Sequence, residues 1–199
     1  MTQRAYCSSC HYPLSACLCA AVAPIYPQHQ VVVLQHPSEV THTKNSVRLL
    51  QLAVPATQVV VGESAADFAE IRQQLQQLGN AMLVYPESEA AANAPTTAPE
   101  PRTLVLLDGT WRKVYRMLCL NPWLLALPRI SLAVENDSAY CIRKAKRSDS
   151  LSTLEAAALA LQQLQPDLDV QPVRQLLQAL VDTRLARMPT NVRQRYRAD

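Results

Sequence analysis

Glycine is nearly absent: Gly62, Gly79 and Gly109 are the only three in 199 residues, where average usage of roughly 7% would supply about fourteen. That scarcity excludes two common ways of holding a phosphate. A dinucleotide fingerprint needs three glycines in six positions and a P-loop needs two, because backbone amides must approach the phosphates with no side chain in the way. No segment of the chain has that spacing. Long apolar runs are missing as well. None approaches the roughly 18 residues that span a membrane, and the N-terminus MTQRAYCSSC lacks the apolar stretch of a signal peptide. A soluble, cytoplasmic protein with no membrane partner is expected. With 49% hydrophobic and 18% charged residues, the composition is that of a globular chain with an ordinary core.

Six cysteines are present, and four of them, Cys7, Cys10, Cys17 and Cys19, crowd into thirteen residues. Such clustering favours a metal over a disulfide framework. A CxxC pair followed after six residues by a CxC pair lets four thiolates reach one tetrahedral ion, and Zn²⁺ is the default occupant of a four-cysteine site. Four protein ligands leave no open position, so the ion is read as structural. An iron-sulfur cluster or a pair of reactive thiols is the competing reading. His11 lies between the pairs as a spare ligand or a solvent-facing side chain. Tyr6 and Tyr12 give this knuckle aromatic faces suited to stacking on bases or to packing against the main domain.

The net charge is only +3, but it is unevenly spread. Nine basic residues between Arg102 and Arg147 face Asp108, Glu135 and Asp137, whereas residues 54 to 101 hold six acids and only Arg72. Arg184, Arg187, Arg193, Arg195 and Arg197 follow near the C-terminus. A polyanion such as nucleic acid suits the basic half; a solvated basic face is the alternative.

Hydrophobic periodicity predicts strands at Gln30 to Gln35, Val59 to Gly62, Ala81 to Tyr85, Thr103 to Leu107, Ile130 to Val134 and Ala139 to Ile142. Helices are predicted over Val47 to Ala53, Phe68 to Leu78 with Gly79 as the C-cap, from just after Gly109, from Ser152 to about Gln165, and over Val173 to about Arg187. Pro86 to Pro101 reads as a surface loop. This alternation implies an α/β domain with a mainly parallel sheet, residues 29–199, preceded by a small metal knuckle, residues 1–28. A monomer is slightly favoured.

The apolar strand ending in Leu107 runs into Asp108-Gly109-Thr110-Trp111. The carboxyl ends of strands are where open α/β sheets bind ligands. A purely structural alternative has Asp108 or Thr110 capping the next helix and Trp111 in the core. Asp-x-Thr-Trp resembles the signature of the DTW-domain proteins, and further segments occur in the matching order. These are the cysteine knuckle, His36-Pro37-Ser38-Glu39, Asn45-Ser46-Val47-Arg48-Leu49, Tyr85-Pro86-Glu87-Ser88 and Ser152-Thr153-Leu154-Glu155-Ala156. Tyr12 replaces a frequent Arg and Ser46 the usual Thr.

The resemblance implies a tRNA-uridine aminocarboxypropyltransferase, which moves the 3-amino-3-carboxypropyl group of S-adenosylmethionine to uridine N3. It also implies a SPOUT-like fold with a C-terminal trefoil knot. An RNA methyltransferase of that class, or a non-catalytic zinc-stabilised RNA-binding module, are the alternatives. Asp108, Thr110 and Trp111 become the expected catalytic residues, with Asp108 as base or as counter-charge to the cofactor. Tyr85, Pro86, Asp108, Trp111, Leu127, Ser152, Thr153, Leu154 and Glu155 are the expected cofactor contacts. Ser152 and Glu155 have a second reading as a capping box. His36, Glu39, Lys44, Asn45, Arg48, Arg143, Lys144, Lys146 and Arg147 are the expected contacts to tRNA.

Overall fold

The structure is a computed structural model that describes residues 5–42, 45–86, 103–132 and 151–190. Its centre is a sheet of five strands, β1 (Gln30–Gln35), β2 (Gln58–Val61), β3 (Ala81–Val84), β4 (Thr103–Asp108) and β5 (Arg129–Ile130). They lie in the order β2-β1-β4-β3-β5, and every pairing is parallel. Among the described residues, five α-helices accompany them: α1 (Val47–Ala53), α2 (Ala69–Leu78), α3 (Trp111–Leu120), α4 (Thr153–Leu164) and α5 (Gln171–Leu185).

The continuous apolar runs of β1 and β4 are explained by burial on both faces. Val31, Val33, Leu104 and Leu106 point to one side, into a core shared with α1, α4 and α5. Val32, Leu34 and Val105 point to the other and meet Phe68, Ile71 and Leu75 at α2 and Val114 and Met117 of α3. The result is three layers, helices on both faces of one sheet. Burial along β4 relaxes at its carboxyl end, where Leu107 and Asp108 are only half-buried. That relaxation leaves the carboxyl end of β4 partly accessible.

The N-terminal segment folds onto the first of these faces. Tyr6 pairs with Pro13 in a single antiparallel bridge, and short 3-10 turns follow at Leu14–Ala16 and Cys19–Ala21. Cys10, Tyr12, Leu18 and Ile25 are buried in the same core as Val31 and Leu104. Ile25 also donates its backbone N–H to Ala53 O at 2.8 Å, tying the segment to the end of α1.

Differences from the sequence expectation have local causes. Of the strand expected over Ile130 to Val134, the described residues end at Leu132, and among them only Arg129–Ile130 is strand, paired with β3, which ends at Val84. Pro86 has no N–H with which to continue the ladder. Helix α5 begins at Gln171, two residues early, with Pro172 in its first turn. Gly79 caps α2 in the left-handed region, φ 65°. The expected strand Ala139 to Ile142 and residues 87–101 of the expected loop lie outside the described residues. So does the chain between Leu132 and Leu151, through which a C-terminal knot would be traced. Among the described residues, no helix is long and apolar enough to cross a membrane.

Candidate active site and metal centre

The chain leaves β1 toward β2 on one side and leaves β4 toward β5 on the other, so the sheet reverses direction between the adjacent strands β1 and β4. Crevices at such switch points are where open parallel sheets hold ligands. Gln35 and Asp108, the last residues of the two strands, sit opposite each other there. His36 N–H donates to Asp108 O at 2.9 Å and fixes the backbone. Two further bonds fix the carboxylate. Gln35 Nε2 donates to Oδ2 at 2.8 Å, and Thr153 Oγ1 donates to Oδ1 at 2.5 Å.

Thr153 is the first residue of α4, and its position follows from a complete capping box. Ser152 Oγ accepts from Glu155 N–H at 3.2 Å, while Glu155 Oε2 accepts from Ser152 N–H at 3.4 Å. The structural reading of Ser152 and Glu155 therefore accounts for these contacts. The Thr153 hydroxyl, which the box does not use, reaches Asp108.

Beside this carboxylate lies a cavity of about 310 Å³, at the small end of the range for small-molecule sites. Val84, Leu106, Val114 and Leu132 supply apolar walls, Thr153 a polar one, and Tyr85, Pro86 and Trp111 line it as well. Asp108 is flanked by Leu107 and Gly109, both of which line the cavity. The Tyr85 and Trp111 rings meet edge to face, centroids 6.2 Å apart and planes at 67°. Trp111 is 37% exposed, so it is not a core residue. Thr110 is exposed at the N-cap of α3 and makes no side-chain cap there. Capping thus explains neither Asp108 nor Thr110.

Gly109 is used for close approach rather than for an unusual turn. Its backbone stays out of the left-handed region, but a Cβ would stand 3.2 Å from Lys113 Cβ and 3.5 Å from Val114 Cγ2, tightening the joint between β4 and α3. Among the expected cofactor contacts, Asp108, Leu127, Ser152, Leu154 and Glu155 do not themselves line the cavity; Asp108 reaches its wall through Thr153. Leu154 is fully buried in the first core and Leu127 packs, partly buried, against the second. Ser131 and Leu132, a few residues on from Leu127, do line it.

The four described residues among those expected to meet RNA, His36, Glu39, Asn45 and Arg48, make contacts within the protein. His36 Nδ1 accepts from Ser38 N–H at 3.2 Å, and its Nε2 lies 3.3 Å from Glu63 Oε1, which also pairs with Arg116 Nε at 3.0 Å. Glu39 Oε1 accepts from Lys113 Nζ at 2.8 Å. Asn45 is buried, donates to the Glu39 and Val40 carbonyls at 3.2 Å each, and accepts from Val47 N–H, the first of α1, at 2.9 Å. Arg48 donates to Val40 O at 2.6 Å and to His11 O at 3.4 Å. Lys44, Arg143, Lys144, Lys146 and Arg147 lie outside the described residues.

The four clustered cysteines converge. Their Sγ atoms all lie within 4.8 Å of one another. Cys7 and Cys19 are 3.5 Å apart and Cys10 and Cys17 3.8 Å, against the about 3.8 Å between sulfurs on a tetrahedral metal with bonds of about 2.3 Å. The cluster can bind a metal ion. Backbone N–H groups of Cys10 and Ser9 pull the Cys7 thiol down to about 6, while its hydrogen bond to Cys7 holds the Cys19 thiol up at about 12. A hairpin sets this geometry, with Cys7 N–H donating to Tyr12 O at 2.8 Å and His11 N–H to Cys7 O at 3.0 Å. His11 turns the chain at φ 55°.

The family model for the DTW domain matches residues 4–185. The chain belongs to the DTW domain family. It is 32% identical to tRNA-uridine aminocarboxypropyltransferase 2 of Drosophila melanogaster, over 87% of this chain and 73% of that protein. Proteins of the same name from Macaca fascicularis and Mus musculus are 29% and 30% identical over 80% of this chain. The chain spans only 56% of the length of those two. No solved structure gives a significant match.

In this DTW chain the residues of the signature divide by contact. Asp108 is anchored and Trp111 lines the cavity, whereas Thr110 faces solvent beside them. Tyr85, Pro86 and Thr153, distant in sequence, join the same wall. Gln35 was missed by sequence reasoning; its signal is a buried glutamine directly after the four apolar residues of β1. Lys113 and Glu63, which pair with Glu39 and His36, carried no comparable signal.

Proposed function

We propose that this protein transfers the 3-amino-3-carboxypropyl group of S-adenosylmethionine to ring nitrogen 3 of a uridine in tRNA, releasing 5'-methylthioadenosine. The observation that carries the reading is the Asp108 carboxylate, held at both oxygens at the sheet switch point against a cavity with apolar and aromatic walls. The names of the relatives agree with it. The residues present suit the donor, with Trp111, Tyr85 and the apolar wall for its ring system.

The donor supplies a carbon activated by sulfonium; uridine N3 bonds to it as the carbon-sulfur bond breaks and the electron pair neutralises the sulfur. Asp108 takes the imino proton that N3 must lose. Gln35 and Thr153 hold the carboxylate in one orientation, so little reorganisation is needed when the proton moves. Trp111 and Tyr85 keep water from the apolar wall. The choice of carbon rests on which one faces the nucleophile at about 3 to 3.5 Å.

The four cysteines hold a structural Zn²⁺ in an N-terminal knuckle, residues 1–28, and residues 29–199 form a SPOUT-like catalytic domain with a C-terminal knot. The protein acts on tRNA in the cytoplasm. Chromatography of the small-molecule product tests the reaction class. Incubation with tRNA and S-adenosylmethionine yields 5'-methylthioadenosine on this account; S-adenosylhomocysteine instead would identify a methyltransferase, and neither product would leave a binding module.

A further inference from the structure

A second and larger recess, about 960 Å³, runs between the cysteine knuckle, α1 and the C-terminal end of α5. Its described lining includes Arg48, Arg184, Arg187 and His11 and contains no aspartate or glutamate. Arg48 holds the Val40 carbonyl and Arg187 the Ser15 carbonyl. Carbonyl oxygens orient a guanidinium without cancelling its charge. The Arg184 guanidinium lies over the Tyr12 ring, 5.9 Å from its centroid. Tyr6, also in the lining, is 60% exposed. The recess is therefore basic, with one aromatic face open to a ligand.

Its position relative to Asp108 decides what the ligand is. Gln35 lines this groove and bonds Asp108 Oδ2, while Thr153, which bonds Asp108 Oδ1, lines the apolar cavity. The carboxylate is one hydrogen bond from each chamber. Two reactants are thereby offered two separate entries, an apolar one suited to the donor and a basic one suited to a polyanion.

We propose that this groove binds a single-stranded segment of the substrate RNA, with Tyr6 stacking on a base and Arg184 and Arg187 meeting phosphates. Single-stranded RNA is recognised through unstacked bases on aromatic rings and phosphates on arginine, the two chemistries present here. The inference rests on the transferase reading, which makes RNA the second reactant. It also gives the knuckle a role beyond stability, since Tyr6 and His11 flank Cys7 and Cys10 in the chain. An acidic peptide would use the arginines but gain nothing from Tyr6.

The test measures anisotropy of fluorescently labelled tRNA on the full, metal-loaded chain across a range of salt. Y6A and R187E are compared with R174E, a charge reversal on the exposed side of α5. Stacking is worth about tenfold or more in affinity, and each phosphate contact contributes about one unit to the salt slope. Y6A and R187E are expected to weaken tRNA binding at least about tenfold, R187E also flattening the salt dependence. R174E is expected to change affinity by less than about twofold. S-adenosylmethionine affinity, metal content and melting temperature should stay at wild-type values in Y6A. If wild-type protein binds and modifies tRNA while both groove variants bind as tightly, the groove assignment is wrong and the transferase reading stands. If wild-type protein neither binds nor modifies tRNA, the transferase reading fails and takes the groove with it.

Discussion

Asp108 is the last residue of a buried strand, yet both its carboxylate oxygens are spoken for by side chains from β1 and α4. Under the proposed chemistry, Asp108→Asn keeps the shape and removes the base, so transfer should slow by about 100-fold or more. The melting temperature should move little, and single-turnover kinetics beside a thermal melt check both. Thr153→Val removes one bond to the carboxylate and keeps the shape of the cavity wall that Thr153 forms. It should lower kcat more than it raises KM, whereas Thr153→Ser should restore the rate. Tyr12 offers a separate test of packing. Its phenol donates to Asn45 O at 2.8 Å, and burial pushes its ionisation above the usual tyrosine value. The neutral form thus contributes stability that is complete below about pH 10 and lost as pH rises through the raised value. Denaturant unfolding should show that alkaline loss, and Tyr12→Phe should flatten it at a cost of about 1 kcal/mol.

Among the elements, those fixed by local pattern were legible in the sequence. The apolar run of β4, the helical spacing of Ile71 and Leu75 before Gly79, and the Ser-x-x-Glu start of α4 each depend on neighbours within a turn or two. Contacts between elements were not. Nothing near Gln35 indicates that it bonds a carboxylate 73 residues away, and nothing near Arg48 indicates that its partners are carbonyls rather than phosphates. The capping box of α4 links the two classes, because it sets where Thr153 stands. Ser152→Ala should cost about 1 kcal/mol and reduce transfer by loosening that first turn. The knuckle behaves likewise. On the proposed metal assignment, elemental analysis should find one ion per chain, and its removal by a chelator should lower the melting temperature by several degrees. Cys10, Tyr12 and Leu18 would then lose the geometry that seats them in the core.

At the scale of the molecule, the sheet order explains why one carboxylate stands between two recesses. Strands β1 and β4 are neighbours whose onward connections diverge, which leaves a crevice at their shared carboxyl end. An apolar cavity opens to one set of its partners and a basic groove to another. The near-absence of glycine fits this arrangement. Side-chain walls replace the glycine-rich loop that a dinucleotide-binding fold would use. The mass of tRNA after incubation with the protein and S-adenosylmethionine tests the central claim most directly. A gain of about 101 Da on a uridine, absent with Asp108→Asn, is the predicted result; a gain of about 14 Da, or none, would contradict it.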